Sequence, residues 1–168
     1  YIDGEIYAMS GGTRWHGVIG AHCNRVIGNQ ILDSNCYMTN SEMRIQIGKT
    51  KYVYPDFVVG CEDSIFTTDT ETTLTNPIVV GEVTSDSSLS YDIGLKSEYY
   101  RSLPSLQHYL IIYQDRLFIQ LYTRQDKSWT LDDFRDPDQV VELTALGVKF
   151  AVNELYRGVP FEDIEDKE

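Results

Sequence analysis

One stretch constrains this chain more than any other: Ile78-Val79-Val80-Gly81-Glu82-Val83-Thr84-Ser85, an almost wholly apolar run of strand length that carries a single carboxylate. A run of that kind belongs near the centre of a sheet, covered on both faces. Side chains alternate along a strand, so Ile78, Val80, Glu82 and Thr84 share one face, and Val79, Gly81 and Val83 the other. Ionised Glu82 is costly there unless it is paired, hydrogen-bonded or bound to a metal. A second run, Lys51-Tyr52-Val53-Tyr54-Pro55-Asp56-Phe57-Val58-Val59-Gly60, has the same character and also one acid, Asp56. Read as one strand, it puts Tyr52, Tyr54, Asp56 and Val58 on a shared face. Pro55 cannot donate to a ladder, so pairing is interrupted beside the acid. Two adjacent strands that each offer one inward carboxylate can build a small metal cage.

The rest of the composition narrows the class. A chain of 168 residues is expected to form one domain over 1–168, with an acidic, frayed tail from 161 to 168. No run approaches the length of a membrane span. Cys23, Cys36 and Cys61 are odd in number and lack CxxC spacing, which fits buried free thiols in a reducing cytoplasm. The net charge of -12 argues against tight, non-specific binding to nucleic acid, which needs Lys and Arg against phosphate. The acidic excess is concentrated in the last quarter of the chain, however, and the first 50 residues are neutral. A thin basic surface from Arg14, Arg25, Arg44, Lys49 and Lys51 therefore remains available to DNA.

In chain order, Ile2–Ser10 reads as a strand entered through an Asp3-Gly4 turn. Thr13 can cap an amphipathic helix from Arg14 to about Ile31. His16 and His22 on that helix stand six apart, on different faces, and read as structural or surface histidines. Cys36–Thr39 and Glu42–Ile47 are short strands, the second with Met43, Ile45 and Ile47 on one face. Residues 62–76 read as a polar surface loop. Ser90 can cap a helix from Tyr91 to about Leu103, ended by Pro104. Gln107–Tyr113 and Arg116–Tyr122 form a hairpin, Trp129–Phe134 and Val140–Leu143 are further strands, and Ala151–Tyr156 is a short helix. The expected architecture is α/β, a mixed β-sheet flanked by helices with a β-rich C-terminal extension.

Metal-dependent hydrolysis of a phosphodiester needs oxygen ligands, a positioned water, and a cation near the reacting phosphate. Asp56 and Glu82 can supply the ligands. A lysine two residues beyond the glutamate would complete such a site on the strand itself, but Thr84 stands there. Lys96, on the helix that follows, can point back instead.

Pro55-Asp56, Glu82-Val83-Thr84-Ser85 and Tyr91-Asp92-xxx-Lys96-xx-Tyr99 together resemble the Uma2 family, a DUF820-type branch of the PD-(D/E)XK nuclease superfamily. Asp3-Gly4-Glu5-Ile6-Tyr7, Leu103-Pro104-Ser105-Leu106 and Tyr109-Leu110-Ile111 fit the same pattern, so the resemblance runs from about residue 2 to 156. It implies a restriction-endonuclease-like core and Mg²⁺-dependent (or Mn²⁺-dependent) DNA cleavage, with the superfamily's lysine moved from strand to helix. On that reading Asp56, Glu82 and the Val83 carbonyl hold the metal, and Lys96 acts on the phosphate. Thr84 or Ser85 can bond a metal-bound water; Glu42, Glu5 and Asp92 are candidate auxiliary acids, with a solvated strand face the favoured reading for Glu42 and Glu5. Asp92 and Lys96 stand at i,i+4, so a plain surface ion pair is the competing reading for the lysine. Tyr91 and Tyr99 are expected to pack the helix. Family analogy also implies a C2 homodimer. The rivals are a catalytically inactive module that kept the fold for interaction or dimerisation, and a metal-independent hydrolase using the two acids as an acid/base pair.

Overall fold

The computed structural model describes residues 4–5, 12–67, 70–84 and 92–161. Most of the expected first strand and the acidic tail lie outside them, as does the Ser90 cap.

A six-stranded sheet runs in the order β1 (Cys36–Asn40), β4 (Phe57–Cys61), β6 (Val79–Thr84), β7 (His108–Tyr113), β8 (Ile119–Gln125), β9 (Ser128–Phe134). Only β6 and β7 are parallel; the other neighbours are antiparallel. Every residue of β6 and β7 is buried, which explains why their sequences are nearly continuous apolar runs: both faces of these strands are covered.

One face carries α1 (Arg14–Gln30), whose Ile19, Cys23, Val26 and Ile27 pack on Val59, Val79, Val83, Leu110 and Ile112. Thr13 caps this helix by accepting from the His16 N–H, as its place in the sequence predicts. The hairpin of β10 (Val140–Leu143) and β11 (Val148–Ala151) joins the same core, followed by α3 (Val152–Leu155). His22 donates from Nδ1 to the Leu155 carbonyl, 2.9 Å away, a structural role. The other face carries a second core of Val58, Val80, Tyr100, Tyr109 and Ile111. A three-stranded sheet of β3 (Lys51–Val53), β2 (Arg44–Ile47) and β5 (Thr73–Leu74) contributes Ile45, Ile47, Val53 and Leu74 to it.

Several expectations are corrected. Lys51–Gly60 is not one strand: Tyr54, Pro55 and Asp56 break it, and the two halves belong to different sheets. Proline removes the donor that a continuous ladder would need at that point. The shared face of Tyr52, Tyr54, Asp56 and Val58 is lost with it. Ile78 precedes β6 and packs with the α1-side core, so alternation starts only at Val79. The polar segment 62–76 contains buried β5, which runs parallel to β2 and accepts an Arg44 hydrogen bond on Thr73. The second helix is a π-helical turn (Asp92–Lys96) followed by α2 (Ser97–Arg101). β8 starts at Ile119 rather than Arg116, whose guanidinium lies over the Tyr113 ring outside the ladder. Strand β11 takes Ala151 from the expected last helix.

The thiol expectation also fails for two cysteines. Cys36 and Cys61 are direct partners in the β1–β4 register and form a disulfide. Cys23 is free and buried. Among the described residues no helix is long and apolar enough to cross a membrane.

Candidate metal centre

The register of the central sheet sets the backbones of the two acids opposite each other. The last paired residues of β4 and β6 are Phe57 and Gly81. One step further, past the end of the ladder, Asp56 comes opposite Glu82. The close approach at that last pair depends on glycine, since a Cβ on Gly81 would sit 1.9 Å from Cζ of Phe57. One more step sets Val83 opposite Pro55. Proline has no N–H to offer the Val83 carbonyl, and the Val83 N–H turns to Oδ2 of Asp56 instead, 2.7 Å away. An interrupted strand thus supplies a carboxylate, and leaves a backbone carbonyl next to it without a ladder donor from Pro55.

Asp56 receives a second donor at the same oxygen. His16 Nε2, in the first turn of α1, lies 3.1 Å from Oδ2, with 27% of the histidine side chain and 14% of the aspartate exposed. The negative charge of Asp56 reaches under the helix as well: burial first, then that charge, push the Cys23 thiol far above its ordinary range. Cys23 is therefore an inert core thiol.

Glu82 is held differently. Its side chain is 4% exposed, and Oε1 takes the Tyr100 hydroxyl at 2.8 Å and the Lys96 ammonium at 3.0 Å. Lys96 and Tyr100 are four apart across the π-to-α junction, which puts both on the face turned to the sheet. Lys96 is 12% exposed, so its partner in the fold is Glu82; the Asp92 side chain lies outside the described residues. An ion pair this buried needs good geometry and extra hydrogen bonds to offset desolvation, and Tyr100 provides one of them.

The remaining predicted residues are placed as follows. Thr84 is buried at the end of β6, and its carbonyl accepts from the Gln114 N–H at 3.0 Å. Ser85 and Tyr91 lie outside the described residues. Tyr99 is half-buried against the second core with Lys51 over its ring, a packing position. Glu5 is exposed, and Glu42 is exposed in the turn after β1. Among the described residues no three His, Cys, Asp or Glu side chains converge tightly enough to hold a metal ion by themselves. His16, Tyr100 and the Thr13–Gln114 side-chain hydrogen bond were not singled out from sequence as parts of this site. Two local signals were available: His16 stands three residues after the Thr13 cap, in the first turn of its helix, and Tyr100 sits one turn after Lys96.

The sequence profile of a family described as "Uma2: Putative restriction endonuclease" matches residues 1–153. The chain belongs to the Uma2 family. Within curated proteins, this Uma2 chain is 36% identical over 165 residues to the uncharacterised protein slr1290 of Synechocystis sp., covering 96% of this chain and 84% of that protein. It is 29% identical over 150 residues to the uncharacterised protein sll1609 of the same organism, covering 88% and 85%. Its fold is similar to the crystal structure of "a putative nuclease belonging to DUF820" from Anabaena variabilis. The TM-score is 0.74 at 18% identity, over 93% of this chain and 88% of that one. The architecture is thus the restriction-endonuclease-like α/β fold, in a family of nuclease type.

Proposed function

We propose that this chain is a Mg²⁺-dependent (or Mn²⁺-dependent) DNA endonuclease hydrolysing phosphodiester bonds. The observation that carries the reading is the opposition of Asp56 and Glu82 beyond the last β4–β6 pair, with Lys96 3.0 Å from Glu82. Two carboxylates at opposed strand positions repel each other unless positive charge lies between them.

The donor set fits a hard divalent cation: two carboxylates, a backbone carbonyl at Val83, and water for the remaining positions. Asp56 and Glu82 would hold the metal, which when bound supplies Lewis-acid polarisation of the phosphate and an acidified water. Lys96 sits where it can neutralise charge developing on the phosphate, and Tyr100 keeps Glu82 in its rotamer. Thr84, at the end of β6, would orient a water in this reading. Arg14 and Lys51 are the cations nearest in sequence to His16 and Asp56, and candidates for the DNA backbone. A cytoplasmic location, a single domain and a C2 homodimer belong to this reading.

The test is nicking of supercoiled plasmid with Mg²⁺ or Mn²⁺. The expected outcome is cleavage stopped by EDTA and reduced about a hundredfold or more in Glu82→Gln and Lys96→Met. Metal binding with no cleavage of any nucleic acid would instead assign an inactive interaction module built on the same fold.

A further inference from the structure

We infer that His16 is a positioning residue of this centre, fixing Asp56 so that its Oδ1 is presented to a divalent cation. The inference rests on the metal-centre reading above, and adds to it a residue from a different element of the fold.

Asp56 lies in a bend, outside every strand. Without a ladder to hold its backbone, its carboxylate needs fixing by side-chain contacts. Two donors from different elements supply this, the Val83 N–H of β6 at 2.7 Å and His16 of α1 at 3.1 Å, and both go to Oδ2. An ionised carboxylate only accepts, so His16 donates through Nε2. Oδ1 is then the oxygen left for a cation.

The histidine is itself fixed. Thr13 caps its helix by accepting from the His16 N–H at 3.2 Å, and the Thr13 hydroxyl donates to the Gln114 side chain. Gln114 in turn donates its N–H to the carbonyl of Thr84 at the end of β6. The first turn of α1 is thereby tied to the strand that carries Glu82. On the other side of the ring the backbone passes close by, because a Cβ on Gly12 would sit 2.7 Å from Nδ1. Gly12, just ahead of the Thr13 cap, therefore admits the imidazole.

Outer partners that orient a ligating carboxylate typically change metal affinity by 10–100-fold. The direct test is Mn²⁺ binding by calorimetry on wild type, His16→Ala, His16→Gln and Gly12→Ala, with circular dichroism confirming the fold of each. His16→Ala is expected to weaken Mn²⁺ binding by roughly 10–100-fold. His16→Gln, whose amide N–H can replace Nε2–H, recovers most of that loss, and Gly12→Ala weakens binding by displacing the ring. A histidine that merely braces the bend would give Ala and Gln variants of equal Mn²⁺ affinity. Wild-type affinity in His16→Ala, or no rescue by Gln, overturns the inference while leaving the metal centre standing. Absence of Mn²⁺ binding in wild type removes both. Should His16→Ala not fold, the Gln and Gly12 variants decide on their own.

Discussion

Glu82 lies in β6 and Asp56 in the bend just before β4, opposite each other past the last ladder pair, yet the fold holds them by contrasting means. Glu82 is inside the central strand, under a helix, and its charge is answered by a buried lysine and a tyrosine. Asp56 is on a bend at the sheet's edge of order, partly open to solvent, and is answered by a backbone N–H and a histidine. The first arrangement places a full opposite charge where water cannot screen it; the second relies on hydrogen bonds to a carboxylate that water still reaches. Glu82 is therefore expected to matter to folding as well as to function, and Asp56 chiefly to function.

The largest effect should follow removal of half of the buried pair. Lys96→Ala strands an ionised Glu82 beside Tyr100, and a loss of roughly 3–5 kcal/mol in urea unfolding is expected. A loss below about 1 kcal/mol would mean that water reaches Glu82 and the contrast is weaker than drawn.

Next comes a control at the far end of the same strands. His108 pairs with Val79 at the start of β6–β7. Its Nε2 accepts the Ala145 N–H at 3.1 Å, which fixes a neutral ring with Nδ1–H toward Thr123. Burial lowers its pKa from 6.5 to about 4. The unfolded chain takes up a proton there that the folded chain refuses, so stability is full above pH 6.5 and falls as pH drops toward 4. The expected loss is up to about 3 kcal/mol. Urea midpoints at pH 7 and pH 4.5 measure it; His108→Gln should flatten that slope, and an unchanged slope would assign it to the two acids instead.

A smaller effect is expected where the arms meet. Gly81→Ala drives a methyl group into the Phe57 ring and should cost about 1–3 kcal/mol, with the β4–β6 amides of Phe57 and of residue 81, direct partners in the ladder, losing hydrogen-exchange protection first. The smallest belongs to Asp56→Asn, which keeps an acceptor for Val83 and His16. A stability change within about 1 kcal/mol is expected. A change as large as that of Lys96→Ala would erase the distinction between the two acids.

The two acids differ equally in how plainly they can be read from sequence. Glu82 announces itself as the lone charge in a run that is otherwise apolar, and Lys96 as the cation on the next helix. Asp56 is legible through Pro55, but that the break separates two sheets is not, because residues on both sides of it keep strand character. Thr73–Leu74 is hidden for a different reason: two residues of strand show no periodicity, and their burial comes from β2. The Cys36–Cys61 bridge depends on a register between strands 25 residues apart, which no local pattern encodes. His16 is the clearest loss. Nothing near it in sequence is acidic on its own helix turn, and its partner lies 40 residues on, so only the docking of α1 reveals it.

In the proposed function, Asp56 and Glu82 jointly hold one divalent cation. Titration of Mn²⁺ into wild type, Asp56→Asn and Glu82→Gln, followed by calorimetry, tests it most directly. One site per chain is expected in wild type, lost in both variants even though Asp56→Asn stays within about 1 kcal/mol of wild-type stability. Binding that survives in either variant, or no binding in wild type, would contradict it.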